Sequence, residues 1–182
     1  MKKTLTAFAL AAASGAALAH TGAGAHTHGF LAGFAHPFTG LDHLLAMLAV
    51  GAWSVRQPNA QWLPATFIGM LLIGMASGAL GLSIPALETG IALTVALMGV
   101  LLVAAVRLPA TAGAVMVGVF AILHGNAHGH ELPQAVSAAG LLAASLLLVY
   151  GGRVLGRVSP ALALKASGAA IAATGVLLAA TA

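Results

Sequence analysis

Residues Trp62 to Leu82 read WLPATFIGMLLIGMASGALGL, a stretch with no charged side chain. As an α-helix rising 1.5 Å per residue it reaches about 30 Å, the thickness of a bilayer's hydrocarbon core. A helix at the surface of a soluble domain keeps one polar face, and this stretch has none. Similar apolar runs occupy about 30–55, 86–106, 109–128, 133–151 and 160–181. The sequence therefore predicts an all-α, polytopic membrane protein, a bundle of about six transmembrane helices forming one domain over residues 20–182. Proline supports the count: Pro37, Pro64, Pro85, Pro109, Pro133 and Pro160 fall at or near the start of a run, where a missing N–H costs nothing. Ser159-Pro160 reads as an N-cap and first helical residue. Gly74-x-x-x-Gly78 is a close-packing pattern for membrane helices. No three-plus-three inverted repeat is evident in the sequence.

The whole composition agrees. Of 182 residues 60% are hydrophobic and only 5% charged, whereas a soluble domain needs about a quarter of its residues charged. The mean hydropathy is +1.04. A net charge of +4 with a pI near 10.4 would suggest nucleic acid in a soluble protein. Here the basic residues are few and lie between apolar runs, so they report membrane orientation, and no nucleic-acid partner is expected. Cysteine is absent, which removes disulfides, thiolate metal sites and cysteine nucleophiles together.

Residues 1–19, MKKTLTAFALAAASGAALA, have the layout of a cleavable signal peptide: Lys2 and Lys3, a short apolar core from Leu5 to Ala13, and the A-x-A site Ala17-Leu18-Ala19. The apolar core is too short to span. Cleavage would leave His20 as a mature N-terminus outside the cytoplasm. The connections between spans that then face the cytoplasm hold Arg56, Arg107, and Arg153 with Arg157, with Lys165 one turn into the last span. Every basic residue of the mature chain lies on the inner side, as the positive-inside rule requires. The expected location is the bacterial inner membrane, with both mature termini periplasmic.

This topology places all eight histidines and all three acids in the outer half. Folding does not require that asymmetry, and ionisable groups at membrane depth usually face a site or a pathway. The first cluster is His36-Pro-Phe-Thr-Gly-Leu-Asp42-His43. A helix from Pro37 puts His36 and His43 on one face, two turns apart. Asp42 has two open readings: a first-turn carboxylate in a capping-box-like Thr39-x-x-Asp42 pattern, or a partner that orients a ligand histidine. The second cluster is His124-Gly-Asn-Ala-His128-Gly-His130-Glu131. In a helix His124 and His128 share a face at chelating distance, with His130 and Glu131 in the loop beyond. Histidines near a helix C-terminus also favour the negative dipole end, but three histidines and a glutamate within eight residues read as a metal site. Glu88 reads as a helix-start carboxylate or a further ligand. His20, His26 and His28 form either an accessory metal-gathering tail or a solvated one.

Imidazole suits nickel, zinc, copper and cobalt, and the scarcity of oxygen ligands argues against calcium and magnesium. The residues alone leave Ni²⁺, Co²⁺ and Zn²⁺ open as the transported or bound ion, and no prosthetic group is expected. The remaining partner is the lipid bilayer, and a homo-oligomer stays open.

At its two clusters the chain resembles the HupE/UreJ family, membrane proteins associated with hydrogenase and urease gene clusters. The segments that carry the resemblance are HPFTGLDHLLAMLAVGAWS, His36 to Ser54, and HGNAHGHE, His124 to Glu131. The signal peptide followed by a histidine and the six-span layout are also similar. The resemblance implies a permease for nickel, or for cobalt, that supplies a nickel enzyme. It further implies that His36, Asp42, His43, His124, His128 and Glu131 handle the metal, with His130 inside the second motif.

No G-x-x-x-x-G-K-[ST] motif is present, so ion movement would follow a gradient or the membrane potential, worth ~2.3 kcal/mol per charge per 100 mV. A release path through the inner half would rely on backbone carbonyls, water, or methionines such as Met70, Met75 and Met98. The alternatives are a membrane-embedded zinc hydrolase, with Asp42 as base and Ser77 as a polar partner, and a periplasm-facing metal sensor or chaperone. In the leading reading the protein is not an enzyme.

Overall fold

The computed structural model describes residues 29–58 and 61–182. These residues form seven helices: α1 Phe30–Thr39, α2 Leu41–Ser54, α3 Trp62–Ala79, α4 Leu87–Val103, α5 Ala110–Glu131, α6 Ala135–Val158 and α7 Ala161–Thr181. The signal-peptide residues and His20, His26 and His28 lie outside the described residues. Helices α3, α5, α6 and α7 are long and apolar enough to cross a membrane, and α2 and α4 are shorter apolar helices.

The bundle is turned inside out relative to a soluble protein. Leu72, Ile73, Leu93, Leu97, Val115, Val119, Leu147 and Leu177 are exposed, while His43, Thr94, His124, Asn126, His128, Ser145 and Arg153 are buried. That distribution suits an apolar solvent outside and a polar interior that satisfies itself.

Small residues set the pairing of helices. The most extensive contacts are α3 with α5, α4 with α7, and α2 and α1 with α6. Between α3 and α5, Gly74 and Gly78 face Gly125 and Gly129 so closely that a Cβ on any of them would strike the partner's backbone. The Gly74-x-x-x-Gly78 pattern is thus a packing seam, met by the matching Gly125-x-x-x-Gly129. Gly51 meets Gly152 between α2 and α6, and Gly99 meets Gly168 between α4 and α7, in the same way.

Several boundaries differ from the sequence expectation. The run at 30–55 is not one helix: Gly40, with extended backbone (φ −87, ψ 112), separates α1 from α2. Pro37, three residues earlier, lacks the N–H that would tie it into the preceding turn. The α5 helix runs on through Glu131 rather than ending at 128, closed by the Leu132 N–H bond to the His128 carbonyl (2.8 Å), with Pro133 just beyond. The α6 helix continues to Val158, so Arg153 and Arg157 are helical instead of lying in a connection. Pro160 is the N-cap of α7, while Ser159 caps the end of α6.

The two ends of the bundle differ in chemistry. At one end are the starts of α2 and α4 and the end of α5, with Asp42, Glu88 and Glu131. At the other, Trp53 Nε1–H and Gln57 Nε2–H donate to the Val106 carbonyl, each at 3.0 Å, and Gln57 Oε1 accepts from the Leu108 N–H at 3.0 Å. A cavity beside these bonds is lined by Arg56 and Lys165, and a second one by Arg56 and Arg107. Arg153 donates to Ser54 Oγ at 3.0 Å. Among the described residues the acids and histidines thus sit opposite the cations.

Candidate metal centre

The break at Gly40 and the extension of α5 together bring the two histidine clusters into one file. His36, near the end of α1, sits 5.0 Å from His128 of α5, measured between ring centroids. His128 is 4.2 Å from His43 at the start of α2. His43 is 4.8 Å from His124, one turn deeper in α5. The file starts at Glu131 and His36, whose side chains are 51% and 31% exposed, and ends at His124, which is fully buried.

Hydrogen-bond partners fix where each ring offers a lone pair. Asp42 Oδ1 accepts from both the backbone N–H and the Nδ1–H of His43, each at 2.8 Å. A carboxylate only accepts, so the proton of a neutral His43 lies on Nδ1 and Nε2 is the base. That Nε2 is buried and has no hydrogen-bond partner. Asp42 therefore fulfils both readings of its position: a first-turn carboxylate and the group that orients His43. Thr39 does not build the capping box and donates instead to the His36 carbonyl at 2.7 Å.

His36 Nε2–H donates to Glu131 Oε2 at 2.8 Å. His128 Nδ1 stands 3.7 Å from the same oxygen, too far for a hydrogen bond, and both His128 nitrogens are buried without a partner. His124 Nε2 meets Thr94 Oγ1 at 2.9 Å, and its Nδ1 is buried and unpartnered. Buried polar atoms are nearly always paired. A concentration of bare imidazole nitrogens in one place has the donor chemistry that a cation site needs.

His36, His128 and Glu131 could offer a metal three ligand atoms within 4.8 Å of one another. An ion with ~2.1 Å bonds holds tetrahedral ligands about 3.4 Å apart, so His36 and Glu131, at 2.8 Å, would have to open around it and the widest pair to close. Deeper, the rings of His124 and His128 both pack against His43, so His128 is common to the outer and the deeper group.

The remaining residues lie off this file. His130 donates through Nε2 to the Leu82 carbonyl at 3.2 Å, tying the end of α5 to the α3–α4 connection. Glu88 is in the first turn of α4 and exposed. Ser77 donates to the Gly74 carbonyl at 2.6 Å and accepts from Asn126 Nδ2 at 2.8 Å, so it braces the α3–α5 seam. Thr94 is the site residue the sequence gave no reason to single out. A lone threonine in an apolar helix ordinarily bonds its own backbone, and only the fold sets it against His124.

The profile of the HupE / UreJ protein family matches residues 8–178. A curated relative, Protein HupE of Rhizobium leguminosarum bv. viciae, is 43% identical over 154 residues, which cover 81% of this chain and 81% of the relative. No solved structure matches the chain. The match spans both histidine segments and every helix between them, and the chain belongs to the HupE/UreJ family.

Proposed function

We propose that this protein is a secondary permease that carries a divalent transition-metal ion, nickel first and cobalt next, from the periplasm to the cytoplasm. Its cargo supplies a nickel enzyme, a hydrogenase or a urease, and the protein itself catalyses no reaction. The observation that carries this reading is the file of His36, His128, His43 and His124, running from an exposed entrance to a fully buried end. A hydrolytic zinc site needs a fixed ion with an open position for substrate. A file with a ligand shared between successive sets suits an ion that is handed on. Imidazole and carboxylate bind well enough to load and weakly enough to release.

The proposed topology has a cleaved signal peptide, six spans in the inner membrane, and both mature termini in the periplasm. The cations at the end opposite the histidines support it. One turn beyond His43 and His124 stand Met47 and Phe120, and one turn beyond Thr94 stands Met98, all buried. The path toward the cytoplasm is therefore closed by apolar side chains beneath His124, and release requires these helices to shift, opening the inner half as the outer half closes.

Radioactive Ni²⁺ entry into proteoliposomes tests the reading. Wild-type protein is expected to admit the ion, and a His36→Ala, His124→Ala double variant is not. Tight binding with no entry would end the permease reading, and zinc-dependent hydrolysis would then be assayed.

A further inference from the structure

We propose that Thr94 is a positioning residue for the metal: its hydroxyl holds His124 in the Nε2–H tautomer and so presents Nδ1 as the innermost ligand of the file. The inference rests on the permease reading above for the identity of the ion, and adds a residue that neither histidine segment contains. Thr94 lies in the middle of α4, 30 residues from its partner.

A hydroxyl has one proton. Thr94 Oγ1 lies 2.7 Å from the Ile91 carbonyl of its own helix, and that oxygen can only accept, so the threonine proton goes there. The oxygen's lone pairs then face His124 Nε2 at 2.9 Å, and only an Nε2–H satisfies them. A neutral imidazole protonated at Nε2 carries its lone pair on Nδ1, the atom that is buried with no partner beside the His43 ring.

The same arrangement occurs twice more where the donor is unambiguous. Ser54 donates to the Gly51 carbonyl and accepts from the Arg153 guanidinium. Ser77 donates to the Gly74 carbonyl and accepts from the Asn126 amide. At Ser54 and Ser77 a hydroxyl bonded back to its own helix acts as an acceptor toward the neighbouring helix, and Thr94 does so toward a histidine. Asp42 fixes the opposite tautomer on His43, baring Nε2. The two partners thus leave one bare, buried nitrogen on each of two rings that pack against each other.

Outer-shell partners of this kind change metal affinity by about 10–100-fold. Three variants of the purified full chain test the proposal: Thr94→Val, which keeps the shape but not the acceptor; Thr94→Ser, which keeps the acceptor; and His124→Ala. Ni²⁺ affinity is measured by equilibrium dialysis, and the His124 tautomer by side-chain ¹⁵N shifts of histidine-labelled, metal-free protein. The expected result is a bare Nδ1 in wild type and Thr94→Ser, loss of that tautomer in Thr94→Val, and Ni²⁺ affinity weaker by about 10–100-fold in Thr94→Val alone of the two threonine variants. Wild-type affinity and tautomer in Thr94→Val, with weakened binding in His124→Ala, would overturn the role of Thr94 and leave the metal centre standing. Wild-type affinity in His124→Ala as well would overturn the deep ligand set and the proposal with it.

Discussion

Replacing His128 is expected to abolish Ni²⁺ entry, and to do so more completely than replacing any other histidine. His128 is the member common to both ligand sets: it lies with His36 and Glu131 in the outer group and against His43 in the deeper one. His36→Ala removes a ligand from the entrance only, and His124→Ala from the buried end only. His128→Ala removes one from each and breaks the file at its middle. The loss should exceed the about 10–100-fold that an outer-shell change costs, bringing entry down to that of protein-free vesicles. Because the side chain is fully buried, truncation to alanine leaves a cavity, and His128→Leu serves as the variant that fills the space without a donor atom. Both variants should elute as folded protein and fail to load. Entry at half the wild-type rate or better in folded His128→Leu would mean that the ion does not pass this ring.

His128 also shows what the sequence could and could not convey. Its spacing from His124 placed two imidazoles on one helical face, and the apolar runs located the helical stretches, because length and hydropathy are local properties; the six runs nevertheless fold as seven helices among the described residues. The end of α5 was harder to place. A histidine-, glycine- and glutamate-rich tail reads as loop, but α5 extends through it to Glu131, and only then do His128 and Glu131 stand one turn apart on the same helix. Gly40 carried a similar ambiguity. One glycine inside an apolar run does not announce a break, and the break lets His36 of α1 and His43 of α2 both pack against the His128 ring. Thr94 was illegible for a different reason. Its role exists only across a helix–helix contact, and no spacing along one segment encodes that. Asp42 stands beside His43 in the sequence, and the fold joins the two by a 2.8 Å bond.

The seam between α3 and α5 is what holds the histidines in register, so a single methyl group there should unfold the site. A Cβ at Gly78 would land on the Asn126 carbonyl, a backbone atom that cannot swing aside as a side-chain end can. Gly78→Ala must therefore push α5 away from α3, and α5 carries His124 and His128. Helix propensity argues the other way: alanine in place of a helical glycine is favourable by about 0.5–1 kcal/mol. The two effects can be separated within α3, because a Cβ at Gly69 meets nothing within 4 Å. Gly69→Ala should raise the melting temperature in detergent slightly or leave it unchanged. Gly78→Ala should lower it, since forcing extra volume into a close-packed contact costs about 1–3 kcal/mol or more. Asn126 adds to the penalty, as its Nδ2 bonds to Ser77 Oγ and the Leu82 carbonyl (2.8 and 2.9 Å) depend on the same approach. Ni²⁺ binding should weaken with the melting temperature in Gly78→Ala and stay at the wild-type level in Gly69→Ala. If both variants melt and bind as wild type does, the helices are not in the close contact described, and the file of histidines would need a different support.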